Sequence, residues 1–96
     1  MKVLWTNSAV AQLQAIHDYI AQTSPDYAAR IVDRLTRRSI QIAAFPNSGR
    51  MVPEYERKDI REVIEGRYRI IYFVEVAQVQ VLTVIHGARD LRSHLA

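Results

Sequence analysis

No cysteine occurs in the sequence, which excludes disulfide staples and thiolate-held metals. Histidine is sparse as well: His17, His86 and His94 are too scattered for a metal-ligand spacing, so no metal and no cofactor is expected. Glycine and proline number three each, too few for a fibrous or low-complexity chain. No run approaches the roughly 20 apolar residues that span a bilayer, so no membrane association is expected. The opening stretch MKVLWTNSAV carries a lysine but lacks the apolar run of roughly 7–15 residues that a secretory signal needs. A cytoplasmic protein is the expectation.

What is present is an ordinary globular composition, 49% hydrophobic and 24% charged over 96 residues. Chains usually divide only beyond roughly 250 residues, so residues 1–96 are expected to form one domain. The formal net charge is +3, and eleven of the thirteen basic residues are arginine. The planar guanidinium fork suits phosphate and carboxylate in a way that the point charge of lysine does not. That balance points to nucleic acid or to an acidic protein partner.

Along the chain, alternation in MKVLWT predicts a short first strand. Asn7 or Ser8 is expected to cap a helix whose apolar face is Ala9, Leu13, Ile16 and Ile20 and which ends near Thr23. Ser24-Pro25-Asp26 starts a second helix, because serine accepts free N–H groups, proline fits the first turn and aspartate suits the positive dipole end. Its apolar series is Ala28, Ile31, Val32, Leu35 and Ile42. The opposite face carries Arg30, Arg34, Arg37 and Arg38. Phe45-Pro46 stops the helix. A turn at Asn47-Ser48-Gly49 and an extended loop over residues 49–54 lead into the remainder.

Residues 59–92 hold the most apolar strand patterns. One strand is predicted at 60–64, a turn at Glu65-Gly66, a second strand at 68–74 and a third at 79–86 that Gly87 ends. The second and third are apolar on both faces, as central strands are. The expected fold is α+β: an N-terminal helical hairpin packed on one face of a small, mostly antiparallel β-sheet. With a hairpin loop of two or four residues, Arg69 lies opposite His86 or Val84, and Arg67, Arg69 and His86 share one face. A three-residue loop separates Arg69 from His86. On one face, the arginines could grip a phosphate, His86 could serve as acid or base, and Glu54 as the complementary base. The plainer alternative pairs the arginines with Glu62 and Glu65 and leaves His86 bonded to a carbonyl.

Several motifs in order carry a family resemblance: Leu13-x-x-Ile16-x-x-Tyr19-Ile20, Pro25 and Ala28, Phe45-Pro46-x-x-Gly49-Arg50-x-x-Pro53, Ile60-Arg61-Glu62, Tyr68-Arg69-Ile70-Ile71-Tyr72, and Val84-x-His86-x-x-Arg89. The set spans nearly the whole chain and resembles the RelE/ParE superfamily of toxins from bacterial type II toxin–antitoxin systems. The resemblance implies a cognate antitoxin that wraps the toxin in a hetero-oligomer. It implies one of two targets. RelE-like members cleave mRNA on the ribosome without a metal, whereas ParE-like members are associated with inhibition of DNA gyrase.

Residue by residue, Arg69 matches the arginine with which RelE-like nucleases hold the scissile phosphate. Arg89 matches their second arginine, and Arg61 falls one place out of register with their basic strand residues. Glu54, Arg69 and His86 resemble the glutamate, arginine and histidine of the YoeB pattern, with His86 one residue off. A tyrosine expected near the C-terminus is replaced by Leu95, and a lysine pair before the Tyr-Arg strand by Ile60 and Glu62. These departures favour the ParE-like reading over the endoribonuclease. A diverged member that only binds antitoxin is the third option. Arg61, Arg67, Arg69 and Arg89 are the expected target- or phosphate-binding residues, and Arg30, Arg34, Arg37 and Arg38 the expected antitoxin contacts.

Overall fold

The computed structural model describes residues 1–87; Arg89 and Leu95 lie outside the described residues. Strand β1 (Lys2–Trp5) leads into helix α1 (Asn7–Ala21), which antiparallel helix α2 (Pro25–Ala44) follows. Thr6, not Asn7 or Ser8, is the cap of α1: its hydroxyl accepts from the Ala9 N–H at 3.1 Å. Thr6 holds that place because its own N–H donates to the Val81 carbonyl and its hydroxyl donates to the Leu82 carbonyl. Its backbone is thus still sheet while its side chain opens the helix. The start of α2 is as expected, with Ser24 accepting from the Tyr27 N–H, Pro25 in the first turn and Asp26 behind it.

Past α2, a 3-10 turn (Pro46–Ser48) brings the chain to β2 (Arg50–Met51), a short strand within what alternation reads as an extended loop. Then come β3 (Ile60–Glu65), β4 (Tyr68–Val74) and β5 (Gln78–His86). The sheet order is β1-β5-β4-β3-β2. Neighbours are antiparallel except β1, which runs parallel to β5. The β3–β4 turn is Gly66-Arg67, one residue later than expected, with Gly66 at φ 59°. A two-residue hairpin turn with glycine in its first central place takes up the sheet's twist without strain.

Both helices cover one face of the sheet. Leu35 and Ile42 of α2 meet Val63, Ile70, Tyr72, Val81 and Val84 there, all buried. Trp5 ties β1 to α2 through a bond from its indole N–H to the Ser39 hydroxyl at 2.8 Å. The Tyr72 hydroxyl donates to the Pro46 carbonyl at 2.7 Å and accepts from the Gly49 N–H at 3.0 Å. That one side chain fixes the 3-10 turn against the middle of the sheet. A Cβ on Gly49 would strike the Tyr72 hydroxyl and the Glu62 carbonyl, so this passage admits only glycine.

On the far face, residues 52–59 cross Ile60, Ile71 and Ile85, with Val52 buried among them and Tyr55 and Phe73 packed at the margin. This face also holds a carboxylate, Glu62, whose side chain has 0% exposure. Arg69 donates to one of its oxygens at 2.6 Å and Arg50 to the other.

Three expectations follow for stability in urea. Tyr72→Phe leaves the buried Gly49 N–H without its acceptor and should lower unfolding free energy by about 1–3 kcal/mol. Glu62→Gln should lower it by about 3 kcal/mol, because it strips a buried arginine of a counter-ion. Arg50→Ala removes the other partner of the same carboxylate, yet Arg50 is 63% exposed and its loss should cost about 1 kcal/mol or less. Equal losses for Glu62→Gln and Arg50→Ala would contradict this assignment of burial.

Candidate functional site

The residues expected at one rim are divided between two faces of the sheet. The β4–β5 hairpin has a two-residue loop, with the Glu75 N–H donating to the Gln78 carbonyl. Near that loop the register is the one expected, Val74 opposite Val79 and Tyr72 opposite Val81. Between Ile71 and Tyr72 it slips by one: Ile71 faces Thr83, and Leu82 is the extra residue of a β-bulge. Beyond the bulge Arg69 lies opposite Ile85 and His86 opposite Tyr68. Paired residues share a face, so Arg69 and His86 point to opposite sides of the sheet. The expectation of a shared face fails, and the bulge is the reason.

Arg69 stands on the far face with 6% of its side chain exposed. Its Nε bonds Glu62, and its terminal nitrogens bond the two carboxylate oxygens of Glu54 at 2.8 and 2.7 Å. The bidentate Glu54 carboxylate, assisted by Glu62, raises the proton affinity of the guanidinium further above its ordinary value, against the opposing effect of burial. Arg69 is therefore a permanent cation gripped by two carboxylates. Glu54 and Arg69 are brought together as expected; among the described residues Glu62 also bonds Arg69, whereas His86 lies on the other face.

Arg61 belongs to the helix face, paired with Tyr72. Its guanidinium holds the carbonyls of Lys58 at 3.0 Å and Gly49 at 2.8 Å, so it buttresses the 3-10 turn. Arg61 and Arg69 are three ladder positions apart on the Tyr72-facing and Ile64-facing rungs, roughly 10 Å along the strands. They form no common grip. Among the described residues no group of three or more His, Cys, Asp or Glu side chains gathers as metal ligands.

His86 lies beside Tyr68, the rings edge to face with centroids 6.0 Å apart. Both line an open cavity of about 680 Å³ between the end of α1, the first half of α2 and the β3–β4 turn. Ile31 and Leu35 contribute apolar wall, and Arg34 and Arg67 stand at its margin. Burial raises the pKa of the Tyr68 hydroxyl. The α2 arginines are not equivalent. Arg38 is turned to the sheet, bonding Glu65 at 3.1 Å and the Ile64 carbonyl at 2.8 Å. Arg37 pairs with Asp33 one turn back, and Arg30 lies over the Tyr27 ring. Arg34 and Arg67 make no ion pair among the described residues.

Sequence reasoning missed Arg50 as a partner and treated Glu62 only as a plain counter-ion. A signal was present: the two-residue Gly66-Arg67 turn sets Arg69 opposite Ile64, which makes Glu62 its diagonal neighbour on the same face.

Residues 3–91 match the model of a family described as the ParE toxin of type II toxin–antitoxin system, parDE. The chain is 37% identical over 89 residues to Toxin RelE2 of Caulobacter vibrioides, covering 92% of this chain and 97% of that one. It is 33% identical over 87 residues to putative toxin Y4kP of Sinorhizobium fredii, covering 90% and 88% of the two chains. Among solved structures, a chain of the chromosomal ParDE system from P. aeruginosa superposes with TM-score 0.73 at 24% identity, covering 90% of this chain and 95% of that one. The YoeB/ParE toxin from Agrobacterium tumefaciens follows at TM-score 0.61 and 17% identity, with 90% and 98% covered. Two helices packed on a mostly antiparallel five-stranded sheet are thus the fold of these toxins too. No helix among the described residues is long and apolar enough to cross a membrane. The chain belongs to the ParE toxin family, within the RelE/ParE superfamily of type II toxin–antitoxin toxins.

Proposed function

We propose that this toxin is neutralised in the cytoplasm by a cognate antitoxin and that it inhibits DNA gyrase by protein–protein contact, without cutting RNA. One observation carries the second half of the proposal. Arg69, the residue that would grip a scissile phosphate, is held by the carboxylates of Glu54 and Glu62, while His86 belongs to the other face of the sheet. A phosphate approaching the terminal fork of Arg69 would meet the carboxylate of Glu54 first. A proton donor on the opposite face is out of the hydrogen-bond reach that general acid–base catalysis requires. What remains to a toxin of this fold is its surface.

Purified gyrase should lose supercoiling activity on adding the protein and regain it on adding the antitoxin. Unchanged supercoiling at high toxin excess would overturn the proposal. The direct contact of Glu54 with Arg69 favours a second reading, a ribosome-dependent endoribonuclease. Ribosomes programmed with mRNA and exposed to the wild-type toxin test it: cut message would establish that reading in place of the first. Inactivity in both assays would leave a member that only binds antitoxin.

The cavity beside α2 supports the antitoxin half. Its apolar wall and the arginines at its margin, Arg34 and Arg67, suit a partner segment that presents large apolar side chains flanked by Asp or Glu. Arg30 and Arg37, exposed on the same helix, extend the basic surface, whereas Arg38 is occupied with Glu65. Combined Arg30→Glu and Arg34→Glu substitutions should weaken antitoxin binding at least about tenfold, chiefly through slower association, and most at low salt. Unchanged affinity in a titration of the folded double variant would remove these arginines from the interface.

A further inference from the structure

The C-terminal half of α2 carries an apolar surface that the core does not use. Ile42 is fully buried, and a helix turns about 200° over two residues, so Ile40 points away from the sheet and is 72% exposed. Phe45, which ends the helix, is 67% exposed, and Ala44 beside it faces water as well. Phe45 stands as a ridge between two shallow clefts. One is lined by Ile40 with Arg34, Arg37 and Arg38, the other by the 3-10 turn. Hydrogen bonds fix the frame beneath. The Phe45 N–H donates to the Gln41 carbonyl at 2.8 Å, and the Phe45 carbonyl accepts from the Ser48 N–H at 3.0 Å. The Gln41 side chain accepts from Arg38 and donates to the Ser48 hydroxyl at 3.1 Å. Tyr72 holds the Pro46 carbonyl, and Arg38 is anchored on Glu65.

Apolar side chains presented on a rigid frame serve protein interfaces as anchors, because little conformational freedom is left to lose on binding. The charge around them is positive. Arg34 makes no ion pair among the described residues. Arg37 meets Asp33 in an exposed contact that solvent screens. An apolar centre flanked by arginine suits the recess of a folded protein rimmed by Asp or Glu, whereas a nucleic acid strand offers no recess for an isoleucine. Resting on the reading that toxicity is a matter of protein contact, we propose that Ile40, Ala44 and Phe45 form the platform by which the toxin grips its target. That target is a folded protein with an apolar recess and carboxylates at its edge. The platform is separate from the antitoxin cavity yet borders it, since Arg34 and Glu65 line both. An antitoxin segment seated in the cavity reaches the edge of the platform. The two partners then contend for Arg34, and neutralisation needs no change of toxin conformation.

The experiment uses the full chain as wild type, as the double variant Ile40→Ser with Phe45→Ser, and as the control Val10→Ser, an exposed position on α1. Each is expressed without antitoxin to measure growth arrest, and purified for thermal melting, titration with the cognate antitoxin and gyrase supercoiling. The double variant should melt with the wild type and bind antitoxin within about threefold, yet need at least about tenfold more protein for equal arrest, as loss of two anchors requires. Val10→Ser should match the wild type throughout. Undiminished arrest by the double variant would overturn the proposal whatever the target, as would an equal loss in Val10→Ser. Parallel losses of toxicity and antitoxin binding would overturn it by assigning the platform to the antitoxin. Loss of folding in the double variant would do so by returning these side chains to the core. Arrest by a wild type that leaves gyrase active would overturn the choice of gyrase alone, and the growth comparison would still decide the platform.

Discussion

A carboxylate with no exposure to water is the constraint on which the far half of this molecule depends. Moving an ion of that size out of water costs several kcal/mol even after the protein relaxes, so Glu62 can stand where it does only with a cation on each oxygen. Arg69 and Arg50 supply them. To serve Glu62 through Nε, Arg69 must lie along the sheet with its terminal fork turned to the loop. That fork then dictates where Glu54 goes, and Glu54 in turn holds the loop that covers Ile60, Ile71 and Ile85. Arg50, bonded from β2, extends the sheet by a strand too short to persist alone. One buried charge thus organises a strand, a loop and a small apolar core.

The helix side depends on a different detail, the single extra residue Leu82 in β5. A bulge leaves backbone groups off the regular ladder, and the Leu82 carbonyl is taken up by the Thr6 hydroxyl at 3.2 Å. The residue that caps α1 also seals the bulge, so the entry of the helix and the register of β5 are coupled. Because strand faces alternate, one inserted residue is enough to turn His86 from the side of Arg69 to the side of Tyr68. The two sides then acquire different chemistry: a neutralised charge network on one, and an aromatic cavity with arginines at its margin on the other.

This also explains what could be read from the residues alone. The helices were legible because Ala28, Ile31, Leu35 and Ile42 repeat at helical spacing, and the strands because their runs are apolar and bounded by Gly66 and Gly87. The bulge was not, since β5 is apolar on both faces near Val81–Ile85 by sequence and a strand without alternation gives no sign of its register. The parallel pairing of β1 with β5 was equally hidden, because four residues carry too little pattern to choose a neighbour. The Glu62–Arg69 contact was recoverable, as the two-residue turn at Gly66-Arg67 fixes it. The sharing of Glu62 with Arg50 was not, because β2 lies inside what its composition marks as a loop. Arg89, which completes the family motif, falls outside the described residues.

An arginine-rich composition invites the inference that the molecule grips anions, and the placement of the arginines narrows it. Arg38, Arg50, Arg57, Arg61 and Arg69 each hold a carboxylate or a backbone carbonyl of this same chain. They act as mortar between a loop, a turn and the sheet, and their charge is largely answered before any partner arrives. Arg34 and Arg67 stand instead at the edge of the cavity between α2 and the β3–β4 turn. Surface charge of that kind acts on encounter and orientation more than on chemistry. The deepest arginine is thus committed to internal carboxylates, and the charge that stays at the rim of the aromatic cavity is the charge that an approaching partner would meet.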